Sequence, residues 1–219
     1  MTGPGTALTV GISQRVADVP ERAERRDCLD QAWISLLCDL DILPIPIPNT
    51  LDDIAVMLST VRLDGVILSG GNDLTDLGGA ANVAPERDAT EIKLLEWTAQ
   101  RGLPALGVCR GLQIMTRHYG GEVVPVSGHV ASRHRIIVDD AAGLKLAGRA
   151  EVNSFHGYGV RREQLGSELL AAAVAPDGTI EAAVHREYRH AAIMWHPERG
   201  PSDRRDADLI RTFFERRTS

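Results

Sequence analysis

At residues 103–115 the chain reads Leu-Pro-Ala-Leu-Gly-Val-Cys-Arg-Gly-Leu-Gln-Ile-Met, and this stretch carries the strongest structural signal in the sequence. An apolar run typical of a buried strand meets Gly-x-Cys-x-Gly and continues with apolar residues at helical spacing. The pattern predicts that Cys109 lies at the tip of a sharp strand-to-helix turn, a nucleophile elbow with sulfur in place of oxygen. Such a turn packs the chain before the nucleophile against the chain after it, so Gly107 and Gly111 must be small.

The predicted turn also places the Cys109 thiol at a helix N-terminus. Unpaired N–H groups and the positive end of the helix dipole stabilise a thiolate there. We therefore expect Cys109 to be more nucleophilic than a core cysteine. The alternative is that Cys109 is a small buried residue between two structural glycines.

Length and charge limit the class of protein. With 219 residues and 43% apolar content, the chain is expected to form one domain over residues 1–219. A net charge of −6 argues against a nucleic-acid partner. Because Met1 to Gly5 lacks the features of a secretion signal and no membrane-spanning run is present, we expect a cytoplasmic protein with no membrane partner. Cys28, Cys38 and Cys109 have no metal-ligand spacing, and we expect no disulfide, metal or cofactor.

Strand and helix patterns alternate along the chain, which predicts an α/β fold with an open, mostly parallel sheet. Prolines place the strand at 43–48 at a sheet edge. The predicted strands are residues 7–12, 43–48, 64–68, 103–108, 122–125, 133–138, 150–158 before a Gly-bounded loop, 171–175, 180–185 and 191–195. The predicted helices are residues 24–40, 51–61, 88–100, the segment after Cys109, and 206–217.

Polar residues and glycines follow several of these strands. Gln14 and Arg15 end the first one, where open parallel sheets bind ligands. The segment Ser69-Gly70-Gly71-Asn72-Asp73 follows another, and its two glycines allow bare backbone N–H groups to point into a cleft, as an oxyanion hole requires. Gln113 lies one helical turn beyond Cys109, within reach of the same pocket.

Arg87 and Glu91 are four residues apart on a predicted helix. They could pair on its surface, or they could position the cleft.

Histidines supply the candidate bases. His129, His134 and His156 could line the cleft or could be satisfied structural groups. His156 is favoured because it belongs to the compact cluster Asn153-Ser154-Phe155-His156-Gly157.

The triplet His196-Pro197-Glu198 directly follows a strand. Proline favours an extended residue before it, and residues two apart in an extended chain project to the same side. Glu198 can then fix the tautomer of His196, and His196 can take a proton from a thiol. Cys109, His196 and Glu198 are therefore a candidate triad. The alternative is a surface turn at a strand end.

The segments 107–113 and 195–198 together resemble class I glutamine amidotransferases. Within them, Arg110, the segment 85–88 and the segment 152–156 resemble the γ-glutamyl-γ-aminobutyrate hydrolase family, which is peptidase C26-like. The resemblance implies a flavodoxin-like doubly wound sheet flanked by helices and a free-standing hydrolase that cleaves γ-glutamyl amides. By the same resemblance, Cys109 is the nucleophile, His196 the general acid and base, and Glu198 its orienter, with N–H groups of Arg110 and of Gly70 or Gly71 as the oxyanion hole.

Residues 11–15, 24–33 and 68–74 look closer to short family members of bacterial surface-sugar pathways. One such activity is hydrolysis of γ-glutamyl-CDP-amidate to glutamate and cytidine diphosphoramidate. Arginines suit a nucleotide leaving group, because guanidinium groups match phosphate oxygens, although each could simply be solvated. The candidate anion contacts are Gln14, Arg15, Arg25, Arg26 and Arg133. The candidate substrate contacts are Gln14, Arg15, Asn72, Gln113, Arg133, His134, Asn153, Ser154 and His156.

Three alternatives stay open. The first is a γ-glutamyl-γ-aminobutyrate hydrolase of polyamine catabolism. The second is a glutaminase subunit that feeds ammonia to a separate synthetase. The third is a non-catalytic binding or redox-sensing protein, against which the intact His196 and Glu198 argue. The expected partner is a small γ-glutamyl substrate, and a homodimer is left open.

Overall fold

A computed structural model describes residues 8–51, 53–146, 148, 151–200 and 203–215. The α-helices there are α1 (Gln31–Asp39), α2 (Ile54–Thr60), α3 (Pro85–Arg101), α4 (Arg110–His118) and α5 (Arg204–Phe214). The strands are β1 (Leu8–Ser13), β2 (Arg15–Val19), β3 (Glu24–Cys28), β4 (Ile42–Ile47), β5 (Gly65–Leu68), β6 (Ala105–Val108), β7 (Val124–Pro125), β8 (Ser132–Arg135), β9 (Ile137–Val138), β10 (Glu151–Ser154), β11 (Tyr158–Gly159), β12 (Leu169–Val174), β13 (Ile180–His185) and β14 (His190–Ile193). No helix among these residues is both long enough and apolar enough to cross a membrane.

The main sheet has eight strands in the order β4-β1-β5-β6-β14-β13-β12-β9. The first five run parallel, in the order of a flavodoxin-like doubly wound sheet, and the last three extend it with antiparallel pairs. Every residue of β5 and β6 is buried, as expected for central parallel strands covered on both faces. The predicted α/β class is confirmed, and so is the edge position of β4.

The carboxyl ends of β1, β5, β6 and β14 meet at one edge of this sheet. β1 ends at Ser13, and the chain continues from β5 into Ser69, from β6 into Cys109, and from β14 towards His196. Helices α3 and α4 pack against each other, and both contact β5. Residues predicted to be chemically important are therefore delivered to the same edge.

Two predicted elements were wrong. Residues 24–28 form β3, which pairs antiparallel with β2, and the helix begins only at Gln31, where Asp30 accepts a hydrogen bond from the Ala32 N–H and caps it. The predicted strand at 133–138 divides at the buried Ile136: β8 pairs with β10 in a separate two-stranded ribbon, whereas β9 joins the main sheet beside β12. Parts of other expectations fall on residues 1–7, 52, 150 and 216–217, outside the described residues.

Candidate active site

Cys109 lies at a strained turn between β6 and α4. Its φ of 53° and ψ of −101° belong to a region that L-residues rarely adopt, as is typical of a nucleophile elbow. A Cβ added to Gly107 would lie 2.5 Å from the Gly111 carbonyl oxygen, and one added to Gly111 would overlap the Leu68 carbonyl. The predicted sharp turn, with glycines on both sides, is confirmed.

His196 and Glu198 lie side by side, as the extended His-Pro-Glu pattern predicts. The His196 Nδ1–H donates to Glu198 Oε1 over 2.6 Å, and both side chains are buried. The Asn153 amide holds the backbone of His196 from both sides: Nδ2 donates to the His196 carbonyl and Oδ1 accepts from its N–H, each at 2.8 Å. Asn153 therefore positions His196, and its predicted contact with substrate stays a prediction.

The imidazole and the thiol converge beside Gly70. A Cβ added to Gly70 would lie 2.6 Å from His196 Cε1 and 3.5 Å from Cys109 Cβ. Burial disfavours the imidazolium, but hydrogen bonds with Cys109 and Glu198, together with their charges, outweigh it and raise the pKa of His196 to about 9. At neutral pH the ring is therefore protonated beside the sulfur, an arrangement suited to a thiolate nucleophile and a general acid.

The Arg87–Glu91 pair is buried rather than on a helix surface. The Arg87 guanidinium donates to the carbonyl oxygens of Ser69 and Gly71, each at 2.5 Å, and of Gly70 at 3.2 Å. Its Nε donates to Glu91 at 2.9 Å, and both side chains are fully buried. Of the two interpretations of this pair, the structure supports a role in positioning the cleft.

Glu91 links this group to the elbow. It accepts hydrogen bonds from Ser13 Oγ at 2.6 Å and from the buried Arg110 guanidinium, which also contacts Asp88. Burial opposes ionisation of Glu91, but the two guanidinium groups outweigh it and lower its pKa. The sequence did not single out Ser13 or Asp88, and their positions at a strand end and on the Arg87–Glu91 helix were the available signals.

The grip of Arg87 fixes the direction of two peptide groups. In a trans peptide the C=O and the following N–H point in opposite directions. Since the Ser69 and Gly70 carbonyls point at Arg87, the N–H groups of Gly70 and Gly71 point away from it. The Arg110 N–H, at the first position of α4, has no partner within its helix. All three groups match the predicted oxyanion donors, a role that stays a prediction.

Several predicted substrate contacts are engaged within the protein. Gln14 Nε2 donates to the Ile47 carbonyl, and Gln113 Nε2 donates to the Tyr158 carbonyl. The Asn72 amide bonds both backbone groups of Val16, which ties β2 to the loop after β5.

Among the candidate anion contacts, Arg15 lies against this loop: a Cβ added to Gly71 would lie 3.2 Å from its Nε. Arg25 bonds Asp18 and Glu86, and Arg26 bonds Glu24. Arg133 lies 3.6 Å from Glu151 and lines a cavity of about 350 Å³ with Trp195 and Pro197, the neighbours of His196.

The remaining predicted contacts gather around Glu181, a buried residue of β13 that the sequence did not single out. His134 Nε2 lies 3.2 Å and His156 Nε2 lies 3.7 Å from Glu181 Oε1. Ser154 is fully buried and donates to the His129 carbonyl. The ring of Phe155 lies 5.8 Å from the ring of His196. This cluster therefore borders the candidate triad through one residue, and its contact with substrate stays a prediction.

Comparison with known proteins agrees with this geometry. Residues 9–198 match the family model of peptidase C26. The chain is 31% identical over 196 residues to a γ-glutamyl-CDP-amidate hydrolase of Campylobacter jejuni, covering 88% of this chain and 90% of that protein. It is 26% identical over 217 residues to a γ-glutamyl-γ-aminobutyrate hydrolase of Escherichia coli O157:H7, covering 85% and 84% of the two chains.

The fold is also shared with solved structures. A GMP synthase protein of Thermoplasma acidophilum superimposes with a TM-score of 0.71 at 18% identity, over 95% of this chain and 92% of that one. The matched family model includes all three residues of the candidate triad. The chain belongs to the peptidase C26 family, and it is a hydrolase that acts on amide bonds.

Proposed function

We propose that this protein hydrolyses the γ-glutamyl amide bond of γ-glutamyl-CDP-amidate, releasing glutamate and cytidine diphosphoramidate. The observation that carries the proposed reaction is the meeting of Cys109, His196 and Gly70 at one point of the sheet edge. The choice of substrate is supported by 31% identity to the Campylobacter jejuni hydrolase over nearly the full length of both chains.

In the proposed mechanism, the Cys109 thiolate attacks the γ-carbonyl carbon of the glutamyl group. The N–H groups of Gly70, Gly71 and Arg110 would stabilise the oxyanion, because they are held in place before the charge develops. The C–N bond breaks as His196 donates its proton to the departing nitrogen, leaving a γ-glutamyl thioester on Cys109. His196 then takes a proton from water, whose oxygen displaces the sulfur and yields glutamate.

Arg15 is the arginine proposed to contact the diphosphate of the leaving group. It is exposed, and its guanidinium lies against Gly71, where the proposed oxyanion donors are located. Arg25 and Arg26 each contact carboxylates, which makes them weaker candidates. In this proposal the partner is a small, nucleotide-linked molecule and neither nucleic acid nor a membrane.

A product assay tests both levels of the proposal. Purified protein is incubated with γ-glutamyl-CDP-amidate, γ-glutamyl-γ-aminobutyrate or glutamine, and released glutamate is measured. We expect the nucleotide conjugate to give the highest kcat/KM and Arg15→Ala to lower that value by about tenfold or more, because each charge-assisted contact is worth about 1.5–3 kcal/mol. Preference for γ-glutamyl-γ-aminobutyrate would overturn the choice of substrate. Cleavage of glutamine alone would overturn the free-standing hydrolase.

The nucleophile is tested with a matched pair of variants. Cys109→Ala should reduce turnover by several orders of magnitude, whereas Cys38→Ala, which changes an exposed thiol, should leave it unchanged. Mass spectrometry of acid-quenched enzyme should detect a glutamyl group on Cys109. Turnover by Cys109→Ala at the wild-type rate would contradict the mechanism.

A further inference from the structure

A second cluster of chemically capable side chains lies outside the candidate triad. His129 lies in the loop between β7 and β8, His134 on β8, His156 just after β10, and Glu181 on β13 of the main sheet. The ligand atoms of His129, His134 and Glu181 all lie within 4.8 Å of one another. Four residues from distant parts of the sequence thus point their nitrogen and oxygen atoms at one small region.

The polar atoms at the centre of this cluster lack hydrogen-bond partners. Both carboxylate oxygens of Glu181, His134 Nε2 and His156 Nε2 are buried without a hydrogen bond from the rest of the described chain. Glu181 itself is fully buried. Buried polar atoms are almost always satisfied, so four such atoms in one place require an explanation.

The outer contacts of two histidines fix which nitrogen faces inward. His156 Nδ1–H donates to the Tyr158 carbonyl at 3.0 Å, so in the neutral ring Nε2 carries a lone pair and faces Glu181. His129 Nε2–H donates to Asp177 Oδ2 at 3.1 Å, so Nδ1 carries the lone pair and lies 3.5 Å from Glu181 Oε1. Lone pairs of nitrogen and oxygen therefore face one another, which is unfavourable unless a cation lies between them.

These outer contacts are those that metal-binding histidines usually make, since such a ring donates its other N–H to a carboxylate or a backbone carbonyl. The spacing agrees as well. Four ligands at the usual zinc distances of a tetrahedral site lie about 3.3–3.6 Å from one another. The histidine nitrogens of His134, His129 and His156 lie 3.2, 3.5 and 3.7 Å from Glu181 Oε1.

We propose that His129, His134, His156 and Glu181 bind one divalent transition-metal ion, with Zn²⁺ the best match to three imidazoles and one carboxylate. All four tetrahedral positions come from the protein, so the site is structural rather than catalytic. The ion joins the β8–β10 ribbon to β13 of the main sheet. Because Asn153 of that ribbon holds the His196 backbone, the ion also stabilises the frame of the triad. The absence of metal-ligand spacing among the cysteines did not reveal this site.

Metal content and thermal stability test the proposal without reference to activity. Protein purified without a chelator should contain about one equivalent of Zn²⁺ by elemental analysis. After chelation and dialysis, adding Zn²⁺ at 100 times its Kd should raise the Tm by about 5–10 °C. His134→Asn, at a half-buried position that tolerates replacement, and Glu181→Gln should abolish both effects.

Further variants separate binding from general damage. Asp177→Asn removes only the outer partner of His129 and should weaken Zn²⁺ binding by about 10–100-fold. His118→Asn and Glu168→Gln carry the same replacements outside the cluster and should retain full Zn²⁺ binding. If chelated wild-type protein binds no more Zn²⁺ than Glu181→Gln, and Zn²⁺ leaves its Tm unchanged, the site does not exist and the cluster is a proton-sharing group. This result would leave the proposed hydrolase activity untouched.

Discussion

Replacement of Glu91 by glutamine should strongly destabilise the protein. The carboxylate is fully buried and contacts the buried guanidinium groups of Arg87 and Arg110. Glutamine keeps the shape but removes the charge, and breaking a buried ion pair costs about 3–5 kcal/mol. Asp88 still faces Arg110, so the uncompensated charge falls mainly on Arg87 and the lower value applies. About 3 kcal/mol corresponds to a fall in Tm of about 6–12 °C for a chain of this size.

Urea unfolding followed by circular dichroism measures this free energy. The matched control is Glu86→Gln on the same helix, which removes the carboxylate that pairs with Arg25, a side chain 42% exposed. Such a pair is worth less than about 1 kcal/mol because water screens it. Equal losses of unfolding free energy in Glu91→Gln and Glu86→Gln would refute the argument that burial makes this network important.

The remaining predictions concern the catalytic ring and a second buried histidine. Gly70→Ala should lower kcat/KM by about 100-fold with an unchanged circular dichroism spectrum, because the new methyl would lie 2.6 Å from His196 Cε1; wild-type kinetics would contradict the placement of the ring. With the pKa of His196 at about 9, kcat/KM should fall above that pH as the general acid is lost, and Glu198→Gln should move this limb to lower pH in a pH–rate profile; an unmoved limb would remove Glu198 from this role. Burial lowers the pKa of His190 to about 3, so only the unfolded chain binds its proton between there and its usual value of 6.5. The unfolding free energy should therefore fall as pH decreases through this range, and urea midpoints for His190→Gln should show a flatter dependence.

The catalytic elements could be predicted from sequence because each depends on local spacing. Gly107 and Gly111 report a turn in which the chain before and after Cys109 must touch. His196 and Glu198 are two residues apart in an extended segment, which alone places them side by side. In both cases the neighbouring residues in sequence are also the neighbours in space.

The hairpin of β2 and β3 could not be predicted in the same way. Glu24–Cys28 reads Glu-Arg-Arg-Asp-Cys, which lacks the apolar alternation of a strand, and its order comes from pairing with β2 and from the bonds of Arg25 to Asp18 and Glu86. The helical spacing seen there belongs to residues after Asp30. Tertiary pairing overrides local pattern at this point.

The fate of Arg87 and Glu91 was also beyond the sequence, because charges four residues apart look the same on a helix surface and in a core. What buries this pair is the carbonyl-rich loop at Ser69–Gly71 and the guanidinium of Arg110, both supplied from elsewhere in the chain. The cluster around Glu181 has the same character, since its histidines lie 25 to 52 positions away from it.

The buried ions follow from what the loop after β5 is required to present. To point the N–H groups of Gly70 and Gly71 at one cleft, the preceding carbonyls must turn inward, where no strand is available to bond them. A guanidinium offers five donors in a fixed fork, and Arg87 uses its fork on three consecutive carbonyls at once. A charge carried so deep requires a counter-charge, which Glu91 supplies, and the same carboxylate holds Arg110 beside the nucleophile. The loop and the elbow are therefore two parts of one electrostatic unit, and a change in either should disturb the geometry of the other.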